Sequence, residues 1–218
     1  MKTALISGAT GLVGSFLVKM LLNDGYYDKV KILVRKPVDL NHPALEQIIY
    51  DYENPDFEKL KADDVYCCLG TTIKKAGSKE AFIKVDFDYP LQIAQATQKA
   101  GAQNFSIVTA IGSNSKSKIF YNRVKGEVEE KLQEIPFRSL QIHRPSMLLG
   151  PRKEFRTGEE IGKVFVRALW FLFPKRYRGI HASQVAGCII YTMKEAPSGL
   201  NIIESEKMHS WPVKRNIH

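Results

Sequence analysis

Short apolar runs of strand length alternate with stretches of helical periodicity from the first residue to about residue 144. This alternation is typical of βαβ units, in which each helix connects two parallel strands. The predicted strands are Thr3–Ser7, Val30–Val34, Gln47–Asp51, Asp64–Leu69, Asn104–Thr109 and Ser139–His143. The predicted helices are Leu12–Asn23, Asp86–Ala100 and Phe120–Gln133. We therefore predict an α/β fold with a doubly wound parallel sheet.

The last third of the chain has a different pattern. After Pro145 the sequence predicts two helices, a short extended segment and a final strand. In chain order these are Gly158–Phe173, Arg178–His181, Ser183–Lys194 and Leu200–Ile203, of which the second is extended and the last is the strand. A length of 218 residues fits one domain. We predict a single domain over residues 1–218, in which residues 145–203 contribute a small substrate-side subdomain and residues 204–218 form a tail.

The cysteine and apolar content bounds the compartment and the class of protein. The three cysteines form no C-x-x-C pair, which argues against a disulfide framework and a zinc site and fits a reducing compartment. The five histidines are scattered without ligand spacing, so no metal site is predicted. The start of the chain is too short an apolar run for a signal peptide, and Val164–Phe173 is about half the length of a membrane span. These features predict a cytoplasmic protein without a transmembrane segment.

Gly8, Gly11 and Gly14 stand where the first predicted strand ends and the first predicted helix begins. In such a motif the first glycine permits a tight turn, the second lets backbone N–H groups approach a pyrophosphate, and the third lets the helix pack on the strand. The helix N-terminus adds partial positive charge. The alternative is an ordinary glycine-rich turn. The motif predicts a dinucleotide-binding Rossmann fold, with cofactor contacts from Gly8, Thr10, Gly11, Leu12, Val13 and Gly14.

A basic residue follows the second predicted strand, at the place where Rossmann proteins that prefer NAD carry an acidic one. Arg35 stands there, and a guanidinium can pair bidentately with a 2′-phosphate. NADP (NADPH) is therefore predicted in preference to NAD. The alternative interpretation is a solvated basic loop. Asp51, at the end of the third predicted strand, is a candidate to face the adenine, although aspartate is also a common turn residue.

Tyr121 and Lys125 are four residues apart on a predicted helix and so share one face. A nearby ammonium lowers the pKa of a phenol, which makes the phenol a usable acid or base. Hydride transfer between a nicotinamide and a carbonyl needs such a group, because the oxygen gains or loses a proton as the carbon gains or loses hydride. The pair alone occurs by chance on many helices. Its position after the fifth strand of a sheet that opens with a glycine motif favours the catalytic interpretation.

With these motifs the chain resembles the extended or atypical branch of the short-chain dehydrogenase/reductase superfamily. The segment RPSMLLGP at 144–151 also carries this wider resemblance. Within the superfamily, the chain is most similar to the Tat-interacting-protein-like oxidoreductase group, through the segments CLGTT at 68–72, KAG at 75–77, VDFDY at 85–89 and YNRVKGEVE at 121–129. The resemblance implies that Tyr121 is the catalytic acid/base and that Lys125 holds the nicotinamide ribose and lowers the pKa of Tyr121. It also implies cofactor contacts from Leu69, Gly70, Thr71, Arg144 and Pro145.

Two positions depart from the superfamily pattern. The catalytic hydroxyl expected after the fifth strand falls where the chain has no Ser-Ser pair. Thr109 is the first candidate because its spacing to Gly112 fits the family's serine, and Ser113 is the second. Asp86 stands where many members have asparagine, and a carboxylate, which only accepts hydrogen bonds, cannot replace every bond of an amide.

The sequence therefore predicts an NADP-dependent oxidoreductase that acts on an unidentified carbonyl or alcohol. The competing interpretation is an NADP(H)-binding regulatory or scaffold protein with little or no turnover, which the missing Ser-Ser pair and the small cap favour. The net charge of +9 favours anionic ligands, but the chain carries no nucleic-acid-binding module. The helix over Gly158–Phe173 fits a core or pocket-lining element better than a peripheral membrane contact. Pairing of helices in a homodimer is left open.

Overall fold

The computed structural model describes residues 1–151 and 174–211. Within them the strands are β1 (Thr3–Ser7), β2 (Lys29–Val34), β3 (Leu45–Ile49), β4 (Asp64–Cys67), β5 (Asn104–Val108), β6 (Ser139–Arg144), β7 (Leu148–Leu149), β8 (Ile180–His181) and β9 (Gly199–Glu204). The α-helices are α1 (Leu12–Asp24), α2 (Ile73–Ala76), α3 (Lys79–Ile83), α4 (Tyr89–Lys99), α5 (Phe120–Gln133), α6 (Ala182–Glu195) and α7 (Ser205–His209). Short 3₁₀ turns cover Phe57–Leu60 and Lys175–Tyr177.

Seven of these strands form one parallel sheet in the order β3-β2-β1-β4-β5-β6-β9. The first three strands extend the sheet outward from β1 on one side, and the later strands extend it from β4 on the other side. The strand order therefore reverses between β1 and β4. Ligands of such sheets bind outside the carboxyl ends of the strands at that reversal. The predicted Rossmann fold is confirmed, and β7 and β8 pair separately as a two-stranded ladder.

Helices cover both faces of the sheet, which explains the continuous apolar runs of its strands. Leu17 and Leu21 of α1 pack with Val185 and Ile189 of α6 over one face. On the other face, Ile93 of α4 and the α5 residues Val128 and Leu132 pack over the strands, in a cluster that also contains Phe105, Ile107 and Ile142. The glycine-rich turn lies between β1 and α1, at the carboxyl edge of this sheet.

Two predicted strands end two residues earlier than the sequence suggests. The third was expected over Gln47–Asp51, but β3 starts and stops two residues earlier because its ladder with β2 runs from Leu45 to Ile49. The fourth was expected to reach Leu69, but its pairing with both neighbours ends at Cys67. In both cases the apolar run continues past the last ladder bond, so composition does not mark the strand end.

The helix predicted over Asp86–Ala100 begins earlier and is irregular. Ser78 caps α3 by accepting a hydrogen bond from the backbone N–H of Ala81 at 3.1 Å. The chain then makes a π-helical turn over Lys84–Asp88 before it continues as α4. Such turns carry one extra residue per turn and occur often at functional sites. Asp86 lies in this turn rather than at the start of a regular helix.

Part of the segment that was expected to be a tail is helical. Helix α7 follows directly on β9, and its Ser205 and Met208 are buried. The amide of Gln184 in α6 donates to the carbonyls of Met208 and His209, both at 3.0 Å. Trp211 packs on Tyr191 with the ring centroids 4.6 Å apart. The helix predicted over 158–173 lies outside the described residues, and no helix within them is long and apolar enough to cross a bilayer.

Candidate functional site

The turn between β1 and α1 needs its first and third glycines for steric reasons. Gly8 has φ +74°, and a Cβ there would lie 2.4 Å from the carbonyl oxygen of Cys68. A Cβ at Gly14 would lie 2.2 Å from the carbonyl oxygen of Gly8. Both distances are far shorter than real Cβ contacts, so any side chain at either position would displace backbone. The turn therefore brings β1, α1 and the end of β4 into direct backbone contact.

The first turn of α1 offers its backbone N–H groups to an anion. Gly11 occupies the N-cap position and has no side chain with which to cap them, and the first turn holds no acidic residue. Thr10 is exposed and Leu12 half-buried, whereas Val13 packs in the core and can contribute only its backbone. A helix N-terminus of this kind carries partial positive charge and free donors. These residues fit the diphosphate of a dinucleotide.

The carboxyl ends of β2 and β3 carry a cation and an aromatic group. Arg35 is exposed immediately after β2. Burial raises the pKa of Tyr52, whereas the nearby charge of Arg35 acts in the opposite direction. Tyr52 stacks on Tyr89 with ring centroids 4.7 Å apart and meets Tyr50 edge-on at 5.0 Å. This group of rings, which we call the tyrosine cluster, was missed by the sequence analysis because its members come from two separate segments.

Asp51 is placed in a local turn beside the tyrosine cluster. Its carboxylate accepts hydrogen bonds from the backbone N–H of Glu53 and from Nδ2 of Asn54, both at 2.9 Å. The hydrogen bond from Asn54 lowers the pKa of Asp51 most, and the bond from Glu53 lowers it further. The residue thus acts as a turn former in the described structure, and a contact to adenine stays a prediction.

A buried ion pair joins the π-helical turn to helix α5, next to the loop after β4. Nζ of Lys125 is 2.7 Å from Oδ1 of Asp86, and the two side chains are 3% and 0% exposed. The other oxygen of Asp86 accepts the backbone N–H of Thr71 at 2.9 Å. Gly70 lies over the pair, since a Cβ there would be 3.5 Å from Oδ1 of Asp86 and 3.8 Å from Nζ of Lys125. Leu69, the preceding residue, packs against the hydrophobic cluster beneath α4 and α5.

Tyr121 lies one helical turn before Lys125 on α5 and is half-buried. Its ring packs against the buried Phe82 of α3 with centroids 5.6 Å apart. Burial opposes the charged form of Lys125, but Asp86 and then Tyr121 favour it, so the pKa of Lys125 is raised overall. The fold therefore brings the predicted acid/base residue and the predicted lysine together.

The two candidate hydroxyls are both engaged with the protein. Oγ1 of Thr109 donates to Oε1 of Glu129 at 2.6 Å, two turns along α5 from Tyr121. Oγ of Ser113 donates to the carbonyl of Ala110 at 2.7 Å. Neither hydroxyl is left unpaired by the fold, and the choice between Thr109 and Ser113 stays a prediction.

Arg144 and Pro145 lie at the carboxyl end of β6. The guanidinium of Arg144 contacts both oxygens of Glu129 at 3.1 Å from its Nε and reaches Glu204 at 3.0 Å. The Glu129 contacts outweigh partial burial and raise the pKa of Arg144. The carbonyl of Pro145 accepts the backbone N–H of Ile111 at 2.9 Å. The Arg144 side chain thus joins β6, α5 and β9. These contacts lie within the protein, and the cofactor contact of Arg144 stays a prediction.

No metal centre is formed by the described part of the chain, in which no three His, Cys, Asp or Glu side chains come together as a ligand set. His143 is buried between Oγ of Ser106 at 3.2 Å and Oγ1 of Thr192 at 3.0 Å. Burial lowers its pKa to about 3. This imidazole has the environment of a neutral structural side chain.

Comparison with known proteins agrees with the glycine turn and the strand order. Residues 8–138 match the family model described as NAD(P)H-binding. The chain belongs to this family. It is 36% identical to Protein HTATIP2 of Rattus norvegicus over 176 residues, which cover 77% of this chain and 72% of the relative. It is 30% identical to Protein FMP52, mitochondrial, of Eremothecium gossypii over 98% of both chains. The resemblance to the Tat-interacting-protein-like group is thereby confirmed.

Solved structures share the fold of this NAD(P)H-binding protein at low sequence identity. MoeE5 in complex with UDP-glucose and NAD superposes with a TM-score of 0.71 at 17% identity, over 92% of this chain and 74% of that one. The UDP-N-acetylglucosamine 4-epimerase of Methanobrevibacter ruminantium M1, in complex with UDP-N-acetylmuramic acid, also gives 0.71 at 17% identity, over 93% and 76%. At such identities the likeness concerns the fold alone.

The relatives correct one expectation from the sequence. A cytoplasmic location was predicted from the cysteine usage and the apolar content of the N-terminus. That prediction is wrong by comparison, because the FMP52 relatives from several yeasts are named mitochondrial. Cysteine usage reports only a reducing environment, which does not distinguish one reducing compartment from another.

Proposed function

We propose that this NAD(P)H-binding protein is an NADP-dependent oxidoreductase that transfers hydride between the nicotinamide and a carbonyl or alcohol substrate. The observation that carries the proposal is the buried Lys125 one turn from Tyr121, in a Rossmann domain whose glycine turn fits a dinucleotide. A buried lysine beside a half-exposed tyrosine is an arrangement that stabilises a phenolate and so serves proton transfer.

The residues that would hold the dinucleotide lie along the carboxyl edge of the sheet. The N–H groups at the start of α1 suit the diphosphate. Arg35 suits a 2′-phosphate, since its guanidinium is exposed next to the end of β2. Tyr52 and Tyr89, the two half-buried members of the tyrosine cluster, offer an aromatic surface for the adenine near Arg35. Leu69, Gly70 and Thr71 would line the nicotinamide half, close to Lys125.

Proton transfer falls to Tyr121. The nicotinamide supplies or accepts the hydride when bound. The hydroxyl of Tyr121 would donate its proton to the substrate oxygen during reduction and accept one during oxidation. The ammonium of Lys125, one helical turn away, would favour the tyrosinate that results, because opposite charges attract. A hydroxyl from Thr109 or Ser113 would orient the substrate oxygen.

A regulatory role remains the second candidate because of Thr109. Its hydroxyl donates to the buried Glu129, which also binds Arg144, so a substrate would have to compete with this network for the hydroxyl. In that case, nucleotide occupancy rather than turnover would be the output of the protein.

Equilibrium titration with NADPH and NADH, followed by nucleotide fluorescence, tests the cofactor assignment. We expect NADPH to bind at least about tenfold more tightly than NADH, and Arg35→Ala to remove most of that preference, since a tenfold ratio corresponds to one charge-assisted contact. Lys131→Ala is the matched control, because Lys131 is an exposed cation that pairs with Glu134 near the end of α5. Failure of both nucleotides to bind would refute the proposal.

Tyr121→Phe separates the enzyme from the regulator. For an enzyme we expect turnover of a screened aldehyde or ketone to fall by roughly two to four orders of magnitude, the usual contribution of a general acid or base, with NADPH affinity preserved. Tyr191→Phe is the control, since Tyr191 is exposed on α6 and packs on Trp211. Equal turnover by the Tyr121→Phe variant and the unaltered protein would assign the chemistry to another group.

A further inference from the structure

Asp86 carries a buried carboxylate to which the proposed reaction gives no role. Its Oδ1 lies 2.7 Å from Nζ of Lys125, and its Oδ2 accepts the backbone N–H of Thr71 at 2.9 Å. The carboxylate therefore touches both the loop after β4 and the helix that carries Tyr121.

The π-helical turn places this carboxylate. The turn over Lys84–Asp88 packs against α3, α4 and α5. Because a π turn holds one residue more than an α turn, it changes the direction of the side chains that precede α4. Asp86 consequently reaches α5, while Ile93 and Ala94 of α4 remain packed on the sheet.

Lys125 is buried among few groups that can carry charge. Those that act on it are Asp86 from the π turn, Tyr121 from α5 and Cys67 from β4. Asp86 is the one carboxylate among these three groups, and burial raises the pKa of the Cys67 thiol, which keeps that thiol neutral. An ammonium buried without an anion is strongly disfavoured. The positive charge of Lys125 thus depends on Asp86.

We propose that Asp86 is a positioning residue, which holds the ammonium of Lys125 charged and in place beside Tyr121 and fastens the loop at Thr71 to the same point. Its meaning for proton transfer rests on the proposed function, but the ion pair itself does not. An asparagine at this position would still accept the Thr71 hydrogen bond, yet it would leave the buried cation without its counter-charge.

Denaturant unfolding at several pH values tests the ion pair without any nucleotide. The variants are Asp86→Asn, Lys125→Met and the double variant. Glu53→Gln is the matched control, because Glu53 pairs with Lys84 of the same helical run at 2.9 Å but is half-exposed. We expect Asp86→Asn to lower the denaturant midpoint near pH 7 much more than Glu53→Gln does, since exposed ion pairs contribute little.

Two further results distinguish a counter-ion from a merely structural carboxylate. In Asp86→Asn, burial lowers the pKa of the unpaired Lys125 below its unfolded value, so stability should return as pH rises, with about half of the midpoint loss recovered near pH 10. Adding Lys125→Met to Asp86→Asn should restore the midpoint in part, and should restore folding if the single variant does not fold. A loss that is independent of pH, or a double variant no more stable than Asp86→Asn, would overturn the proposal.

Nucleotide titration connects the pair to the proposed function. If the protein binds NADPH, Asp86→Asn should weaken that binding at least about fivefold near pH 7, whereas Glu134→Gln, which breaks an exposed ion pair with Lys131, should leave it unchanged. Unchanged NADPH binding in Asp86→Asn would contradict the positioning role. If the unaltered protein binds no nucleotide, the proposed function fails, and the unfolding experiments still decide whether Asp86 is the counter-ion of Lys125.

Discussion

Gly14 lies so close to the carbonyl oxygen of Gly8 that a Cβ at position 14 would overlap it. We expect Gly14→Ala to lower the free energy of unfolding by about 3 kcal/mol, because a Cβ 2.2 Å from that oxygen forces the backbone of the turn apart. Gly187→Ala in α6 is the control, since its Cβ would meet nothing within 4 Å. That variant should gain roughly 0.5–1 kcal/mol from helix propensity. Urea unfolding measures both, and equal effects would mean that the turn tolerates a side chain.

His143 makes stability depend on pH. Burial lowers its pKa to about 3, below the unfolded value near 6.5, so the folded state binds fewer protons between these limits. The contribution of neutral His143 to the free energy of unfolding is present above about pH 6.5. It is lost as pH falls, by about 2 kcal/mol between pH 6.5 and 5. The measurement is the free energy of unfolding of the protein and of His143→Gln over this range. Parallel pH curves for the two proteins would show that the imidazole protonates without unfolding.

Arg144 joins three elements, β6, α5 and β9, through two glutamates of different burial. The Glu129 side chain is 3% exposed and the Glu204 side chain is 45% exposed. We expect Glu129→Gln to cost about 3 kcal/mol, because it removes the buried carboxylate that pairs with Arg144, leaves that guanidinium only the exposed Glu204, and weakens the Thr109 bond. Glu204→Gln should cost less than about 1 kcal/mol, since water screens that pair. Similar losses from both variants, measured by chemical unfolding, would rule out burial as the cause.

The sequence predicts an element well where the residue pattern ends at the same position as the backbone hydrogen bonding. Helix α5 and strand β1 were predicted with their observed bounds, because an amphipathic period and a glycine turn mark their ends. The π turn was missed because its hydrogen bonding leaves no distinct period in the sequence. Thr109 was assigned to catalysis on its spacing to Gly112, whereas its partner Glu129 is distant in sequence and near only in the fold. The tyrosine cluster was missed for the same reason.

Nucleotide binding should stabilise the whole domain, since the proposed diphosphate site joins β1, α1 and the loop after β4. At about 100 times the dissociation constant, NADPH should add about 2.7 kcal/mol. For a domain of this size that corresponds to a rise in Tm of roughly 5–10 °C. Thermal unfolding followed by circular dichroism, with NADH at the same concentration, gives the comparison. A Tm that responds to neither nucleotide would argue against a preformed site.

The last ladder of the sheet pairs Ser139 with Gly199 and Arg144 with Glu204. The ladders of β4 with β5 and of β5 with β6, by contrast, join strands that follow one another along the chain. During synthesis the ribosome therefore releases β1 to β6 well before β9, and until then β6, which contains Leu140 and Ile142, is an open edge of the sheet. A chain stopped after residue 144 holds most of the residues proposed to bind the nucleotide, yet exposes this strand to other nascent chains. Synthesis of the final third of the sequence, which contains β9, thus covers the open edge of this sheet.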